Sequence, residues 1–354
     1  MSNIEINDKR TIKEFKGMTF SKYKKSDVKK ELLNNLSGGK IEPACYWAAE
    51  FICAGQFIDL WEIIILYASK HIHLANPKLP LYLDLRVESF KEILNSGYRD
   101  NIIKMRNNQK IRKLFAELIC ILALSKKKHT FDNIKIPKTD LNITKITHKL
   151  KADSINYAQI VFKKEDPKEL FVGINEFAWN IKHEQQNAAE ACYWFEWILG
   201  FEDVCKKTNK KYGGSRRSNM PVDNKYQHDI IWILWECILY ESNRRNLLNI
   251  MKALLNLYCL KYSPGVKKRR KYLIYFAVNL LTEQYDISTP IYKNKSLIDT
   301  VTGKINTIYK QVKKNEIKPD TDYLFNNSVN KNLEKTVQKL DKMNSLMGFI
   351  PRNK

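Results

Sequence analysis

The stretch IEPACYWAAEFICAGQFIDLWEIIILYASKHIHLANP, residues 41–77, contains two helix patterns in succession. Pro43 suits the first turn of a helix, and Gly55 suits the position just past its end. The second pattern is apolar on nearly every side, with Asp59 as a candidate N-cap and Pro77 beyond its end. Because a helix that is apolar all round is buried, this stretch predicts the centre of a helical core.

The tetrapeptide Ala-Cys-Tyr-Trp occurs twice, at residues 44–47 and 191–194, and three further segments then recur in the same order. The matching pairs are WEIIILYAS (61–69) with WECILYES (235–242), SFKEILN (89–95) with IMKALLN (250–256), and QKIRKLFAELICILAL (109–124) with VKKRRKYLIYFAVNLL (266–281). We therefore predict an all-α, two-lobe helical protein built from a duplicated four-helix unit, at 41–128 and 188–285. The alternative is that unrelated apolar helices resemble one another by composition.

A duplicated scaffold gives the repeated tetrapeptide a structural role. Trp is a large packing residue and Cys behaves as a small hydrophobe. We therefore expect Trp47 and Trp194 to be buried near the start of corresponding helices.

Outside the two lobes the chain is more polar. Residues 1–40 are predicted to be a basic N-terminal arm with one short helix at 26–36, and residues 129–187 a linker with connecting helices. The second lobe carries an additional basic segment at 206–225. Residues 286–354 are predicted to be a polar, basic C-terminal tail with one amphipathic helix, whose apolar stripe docks either on the body or on a protein partner. The stripe comprises Val329, Leu333, Val337, Leu340 and Met343.

The charge balance is strongly basic. Lys and Arg number 61 against 38 Asp and Glu, which gives a formal net charge of +23. Such an excess indicates a polyanionic partner, above all a nucleic acid. The alternative is a lysine-rich proteome encoded by an AT-rich genome, since only 12 of the 61 basic residues are Arg.

The seven cysteines are odd in number and form no CxxC pair, so the sequence predicts reduced, buried thiols in a cytosolic protein. The polar N-terminus does not have the pattern of a secretory signal. The apolar runs are shorter than the roughly 20 residues of a membrane span, so we expect a soluble protein without a membrane partner.

The sequence contains no phosphate-binding loop, dinucleotide-binding glycine motif, zinc-protease motif or nucleophile elbow. Five glutamates lie inside apolar helices and are expected to sit at the edges of buried faces or to pair with bases. They are Glu50, Glu62, Glu117, Glu196 and Glu236. His71 and His73 do not share a helix face, so a capping or surface role is favoured over metal binding. We therefore predict no catalytic residue, metal, cofactor or small-molecule substrate, with a metal- or thiol-dependent enzyme as the less favoured alternative.

The basic clusters are the main functional signal. No acid falls between Asp203 and Asp223, and a second basic run occupies 267–271. Cations of this kind bind phosphate backbones and release counterions, and Gly213 and Gly214 predict a pliable loop. The candidate nucleic-acid-binding residues are Lys206, Lys207, Lys210, Lys211, Tyr212, Arg216, Arg217, Lys267, Lys268, Arg269, Arg270 and Lys271. A third cluster comprises 126–128 with Lys104, Arg106, Lys110, Arg112 and Lys113.

Residues 41–128 resemble the collar-type C-terminal region of the replication-fork maintenance AAA+ ATPases, through the stretch from Glu42 to Leu81 and the later ALSKKK. In that family a Tyr-Trp helix is followed by a turn that matches Ser69, Ile72, Leu74, Ala75 and Pro77 here. Lys70 and His71 replace residues that are usually acidic. The resemblance covers about a quarter of the chain and does not include the ATPase module, so it implies no ATP hydrolysis.

The stretch YWAAEFICAGQFIDLWEIIILYASKHIHL, in a chain rich in Lys, Asn and Ile, resembles an uncharacterised protein family of the nucleocytoplasmic large DNA viruses. That resemblance implies a location in a cytoplasmic virus factory or in the virion. We therefore expect a non-enzymatic, DNA-binding accessory protein of viral replication, recombination or packaging. The alternative is a structural or protein-interaction scaffold of the virion.

Overall fold

A computed structural model describes residues 4–98, 101–182, 184–207, 212–316 and 329–346. The longer regular elements in these ranges are helices, and one isolated β-bridge joins Met18 and Lys24. The first eight helices are α1 (Lys25–Gly38), α2 (Ile41–Cys53), α3 (Phe57–Tyr67), α4 (Leu79–Ile93), α5 (Ile102–Asn107), α6 (Gln109–Leu124), α7 (Asn156–Gln159) and α8 (Phe171–Asn180). The remaining helices are α9 (Ala188–Lys207), α10 (Ile231–Asn243), α11 (Leu248–Cys259), α12 (Val266–Arg269), α13 (Lys271–Thr282), α14 (Lys295–Lys313) and α15 (Val329–Leu346). The all-α fold class is confirmed.

Local signals predict the ends of α2 well. Pro43 lies in its first turn, and Gly55 follows its end with φ of 73°. The Gly55 N–H donates to the Ile52 carbonyl at 2.9 Å, which satisfies one of the last carbonyls of the helix. Asp59 differs from the prediction, because α3 begins at Phe57 and places Asp59 within the first turn.

The chain forms two compact units, and the first comprises residues 1–67, 85–126 and 290–354. Its centre is α2, which packs against α1, α6 and α14. Trp47 on α2 and Trp61 on α3 are fully buried. This unit therefore takes its core from both ends of the chain, whereas the predicted first lobe was continuous in sequence.

The N-terminal arm is held to unit 1 by two buried arginines that the sequence suggested as part of a basic surface. Arg106 donates to the carbonyls of Asp8 and Arg10, each at 2.6 Å. Arg112 donates to the carbonyl of Ile4 at 3.1 Å. Both guanidinium groups are buried, so they are structural donors and do not face solvent. The arm's predicted helix at 26–36 is confirmed as α1.

The C-terminal tail contributes two helices to unit 1. α14 buries an apolar face that was not predicted, formed by Ile298, Val301, Ile305, Ile308, Tyr309 and Val312. α15 is the predicted amphipathic helix and packs on α2 with Leu340 buried. The hydroxyls of Thr336 and Tyr23 lie 2.7 Å apart, and Lys40 pairs with Asp341 at 2.8 Å. The stripe thus docks on the body of unit 1, with the side chain of Val329 outside the described residues.

The second unit comprises residues 68–84 and 127–289, and it includes the predicted linker. Its central helix, α9, packs against α8 and α13, while α10 packs against α8, α11 and α13. The contact between α8 and α9 is close, because a Cβ atom at Gly173 would lie 2.8 Å from the indole ring of Trp197. Glycine at this position lets the two helices approach each other.

The four matching segments of the proposed repeat fall on helices that follow the same chain order. They map α2 to α9, α3 to α10, α4 to α11, and α6 to α12 and α13. Within each unit the first of these helices packs against the last, α2 on α6 and α9 on α13. Trp47 and Trp194 are both buried, each with the preceding tyrosine ring edge-on to it. The duplication itself stays a prediction.

Candidate nucleic-acid interface

The outer face of α9 organises the candidate interface in unit 2. The inner face of the helix carries Trp194 and Trp197, which are buried. Five residues that are half-buried or exposed recur along the helix at steps of three and four, as expected for one face of a helix. They are Tyr193, Glu196, Gly200, Asp203 and Lys207. We call these five residues the outer face of α9.

The two predicted basic clusters meet on this face. Lys271 pairs with Glu196 at 2.6 Å, and Lys268 pairs with Asp203, seven residues further along α9. The start of α13 and the short helix α12 therefore run beside the last three turns of α9. This brings the cations of 267–271 next to those at 206–207, although 60 residues separate them in sequence.

Lys267 is the first of the candidate residues that the structure places in the interior. Its ammonium lies 2.7 Å from Glu202 Oε2 and 2.5 Å from Asp229 Oδ1, and the residue is 2% exposed. Lys206 also pairs with Glu202, at 2.6 Å, but stays exposed. A buried cation that pairs with two carboxylates has a structural role, so Lys267 is removed from the candidate interface.

Arg217 is likewise structural. Its guanidinium is fully buried, and it donates to Asp166 at 2.5 and 2.6 Å and to Glu236 at 3.0 Å. Burial alone would raise the pKa of Asp166, but the hydrogen bonds from Arg217 and from two backbone amides hold that pKa below its usual value. Arg217 cannot reach a phosphate without breaking these bonds, so it too is removed.

The segment around Gly214 is fixed to the body, contrary to the prediction of a pliable loop. The Gly214 N–H donates to the His228 carbonyl at 2.8 Å, and the Arg217 N–H donates to the Gln227 carbonyl at 3.0 Å. A Cβ atom at Gly214 would lie 2.8 Å from Asp166 Oδ1. Glycine is thus needed for close approach to the ion pair.

The other candidate residues differ in their burial and in their hydrogen bonds. Arg270 is buried and donates to the carbonyls of Tyr258 and Leu260, both at 2.7 Å, so it closes the end of α11. Tyr212 is half-buried, and burial, with the Cys205 thiol nearby, raises its pKa. Arg216 is exposed but donates to Gln227 and Asn224. Lys210 and Lys211 lie outside the described residues.

Lys207 and Arg269 are the candidates best placed to bind a ligand. Both are exposed, and neither pairs with a carboxylate within the part of the chain that the structure describes. Lys206 and Lys268 are exposed, but each forms an ion pair with an acidic residue of α9. The interface that remains is a row of four exposed cations at the end of α9 and on α12.

A segment that the sequence assigned to the linker lies along the same helix. Residues 133–151, which we call the strap, are held by side chains of α9. The Trp197 indole N–H donates to the Asp140 carbonyl at 2.6 Å, and the Tyr193 hydroxyl donates to the Asp140 carboxylate at 2.7 Å. Leu141 packs over Gly200, where an added Cβ would lie 3.1 Å away.

Most of the carboxylates and histidines that could have taken part in catalysis or metal binding make structural contacts instead. Glu196 and Glu236 pair with Lys271 and Arg217, as expected. Glu50 is fully buried and accepts from the backbone and hydroxyl of Ser21. None of the seven cysteines, all of which lie in the described ranges, forms a disulfide, and six are buried. In the described ranges no group of three His, Cys, Asp or Glu residues is arranged to hold a metal ion.

His73 is buried, unlike the surface residue that the sequence suggested. Its Nε2 lies 2.6 Å from the His129 carbonyl and therefore donates, which leaves Nδ1 unprotonated and without a hydrogen-bond partner among the described residues. The ring stacks on Phe131 at 4.2 Å. Burial lowers the pKa of His73 to about 4, with His129, Lys128 and His71 adding to the effect.

Comparison with protein-family models, with curated proteins and with solved structures gives no match. No helix of the described ranges combines the length and apolar character that a membrane span needs.

Proposed function

We propose that this protein is a non-enzymatic DNA-binding accessory protein that uses the basic row of unit 2. The resemblance to a family of large DNA viruses supports viral DNA replication, recombination or packaging as the setting. The net charge of +23 supports a polyanionic partner.

One observation carries the proposal. Two basic clusters that are distant in sequence lie side by side, because Lys268 and Lys271 pair with acids on the outer face of α9. The acids hold these cations in place, and Lys207 and Arg269 are left with their charge available. A cluster of exposed cations is suited to phosphate contacts, which supply affinity without reading sequence.

The test compares the wild-type chain with a Lys207→Gln, Arg269→Gln double variant. Binding to duplex, single-stranded and forked DNA is measured by gel shift and by fluorescence anisotropy at several salt concentrations. If both cations contact duplex phosphates, the slope of log K against log[salt] should fall in magnitude by about 2. A Lys164→Gln, Lys252→Gln variant makes the same charge change elsewhere on unit 2 and should leave the slope nearly unchanged. Equal affinities and slopes for both variants would reject the basic row as the interface.

An exposed apolar patch favours a second candidate, a structural or interaction scaffold of the virion. Ile160 is 55% exposed and Tyr240 is 45% exposed, and both line a shallow cavity on unit 2. Exposed apolar groups of this kind often mark protein contacts. The scaffold would be favoured if the protein is abundant in purified virions and the double variant binds DNA with the same affinity as wild type.

A further inference from the structure

We infer that the strap is a second half of the nucleic-acid interface, and that Lys135, Lys138 and Lys145 contact the phosphate backbone of duplex DNA. This inference rests on the proposed function and specifies its surface and its ligand. It adds residues from a segment that composition and periodicity mark only as a linker.

The strap is attached along most of α9. At its start, the Asn133 side chain accepts from Lys271, the residue that also pairs with Glu196. In its middle, Asp140 and Leu141 contact Trp197 and Gly200. Beyond this point Lys149 contacts Tyr193, and Lys151 pairs with Glu190. The strap therefore runs back along α9, and at Asn133 it contacts Lys271, two residues after Arg269 of the basic row.

The cations of the strap fall into two groups. Lys149 pairs with Asp140 at 2.6 Å and Lys151 with Glu190 at 2.8 Å, so these two fasten the strap to α9. The other three are exposed, and within the described residues they pair with no carboxylate. They are Lys135, Lys138 and Lys145. The division separates cations that hold the structure from cations whose charge faces solvent.

The size of this surface fits a duplex. The helix from Glu190 to Lys207 is about 26 Å long at 1.5 Å per residue. Duplex DNA of that length carries about 15 phosphate charges, so it has ample partners for the free cations of the strap and the basic row.

The side chains also favour backbone contact over base stacking. The aromatic rings here, Tyr193 and Trp197, are hydrogen-bonded to the strap, and Trp197 is buried. Single-strand binders combine a basic groove with exposed aromatic platforms. Of the large apolar residues that are strongly exposed in the described chain, none is an aromatic residue of the strap or of α9. The chemistry therefore points to duplex phosphates as the ligand.

The experiment uses the full chain and a fluorescein-labelled 20-base-pair duplex, with the corresponding single strand as a second probe. Three variants are compared with wild type by anisotropy from low to moderate salt. The strap variant carries Lys135→Gln, Lys138→Gln and Lys145→Gln. The matched control carries Lys164→Gln, Lys168→Gln and Lys252→Gln, three exposed cations of unit 2 that also pair with no carboxylate in the described ranges. A charge-retaining variant has Arg at the three strap positions.

We expect the strap variant to bind the duplex more weakly and to reduce the salt slope by up to about 2.7, since each phosphate contact contributes about 0.9. The control should retain the wild-type slope, and the Arg variant should bind like wild type. Thermal melts should coincide for all four proteins because the substituted side chains are exposed.

The other possible outcomes distinguish failure of the strap inference from failure of the proposed function. If the strap variant behaves like the control while the Lys207, Arg269 variant loses affinity, the strap inference fails and the proposed function stands. If wild type prefers the single strand, the duplex assignment fails. If wild type binds neither probe at low salt, the proposed function fails and the inference fails with it.

Discussion

Arg217 and Asp166 form a fully buried, two-pronged ion pair, with Nη1–Oδ1 and Nη2–Oδ2 distances of 2.5 and 2.6 Å. The pair joins two segments 51 residues apart in sequence and fixes the Gly214 segment beside it. Arg217 therefore stabilises unit 2.

Substitution of Arg217 by Gln should destabilise the protein by about 3–5 kcal/mol, because it leaves Asp166 buried without its cation. Urea unfolding measures this change. Arg216→Gln, one residue away and exposed, should stay within about 0.5 kcal/mol of wild type. A stable Arg217→Gln variant with weakened DNA binding would restore Arg217 as a contact residue.

Stability should fall in mild acid because of His73. Its pKa in the folded protein is lowered to about 4, whereas the unfolded chain titrates near 6.5. The unfolded state therefore takes up the proton first as the pH falls. The contribution of His73 to the free energy of unfolding is fully present above about pH 6.5 and is lost progressively down to about pH 4. The loss attributable to His73 is up to about 3 kcal/mol.

The measurement for His73 is urea unfolding from pH 7 to pH 4.5 for wild type and His73→Gln. The variant should show a flatter dependence, and the exposed His148→Gln control should follow wild type. Parallel curves for wild type and His73→Gln would show that the histidine is not held neutral.

The two Ala-Cys-Tyr-Trp tryptophans should act as packing residues. Trp47→Ala and Trp194→Ala should each cost about 3–5 kcal/mol, because each removes a fully buried ring. Tyr240→Ala, at an exposed aromatic position, should cost much less. Full thermal stability with lost DNA binding in either Trp variant would contradict the scaffold role.

Two helical glycines should respond in opposite directions. Gly173→Ala places a Cβ 2.8 Å from the Trp197 ring, so overpacking should destabilise by about 1–3 kcal/mol. Apart from its neighbouring residues and the nearby backbone of its own helix, no heavy atom of the described chain lies within 4 Å of a Cβ added to Gly303 on α14, so Ala should stabilise by up to about 1 kcal/mol through helix propensity. Differential scanning calorimetry of both variants tests the α8–α9 contact; equal shifts would contradict it.

Local patterns predicted the helices well, because their signals lie within a few residues. Pro43 and Gly55 mark the two ends of α2, and the apolar run after them is buried as expected. The helical repeat of Ile298, Val301 and Ile305 was also present in the sequence, but the polar composition of the tail concealed it.

The candidate site was harder to predict because its geometry depends on distant residues. A basic run has the same sequence pattern whether it faces solvent or a buried carboxylate, and only the fold places Asp166 beside Arg217. The strap has no periodicity because single side-chain contacts hold it, such as that between Trp197 and the Asp140 carbonyl. Sequence therefore identified the basic clusters but could not separate their structural cations from their available ones.

Lysine footprinting with and without DNA tests the proposed interface on the strap and α9. The full chain is treated briefly with an acetylating reagent, with and without a 20-base-pair duplex, and modification at each lysine is measured by mass spectrometry. If the proposed interface is correct, the duplex protects Lys207 and the strap lysines Lys135, Lys138 and Lys145, whereas Lys164, Lys168 and Lys252 react equally in both samples. Uniform reactivity in the two samples, or protection confined to lysines away from α9 and the strap, would contradict it.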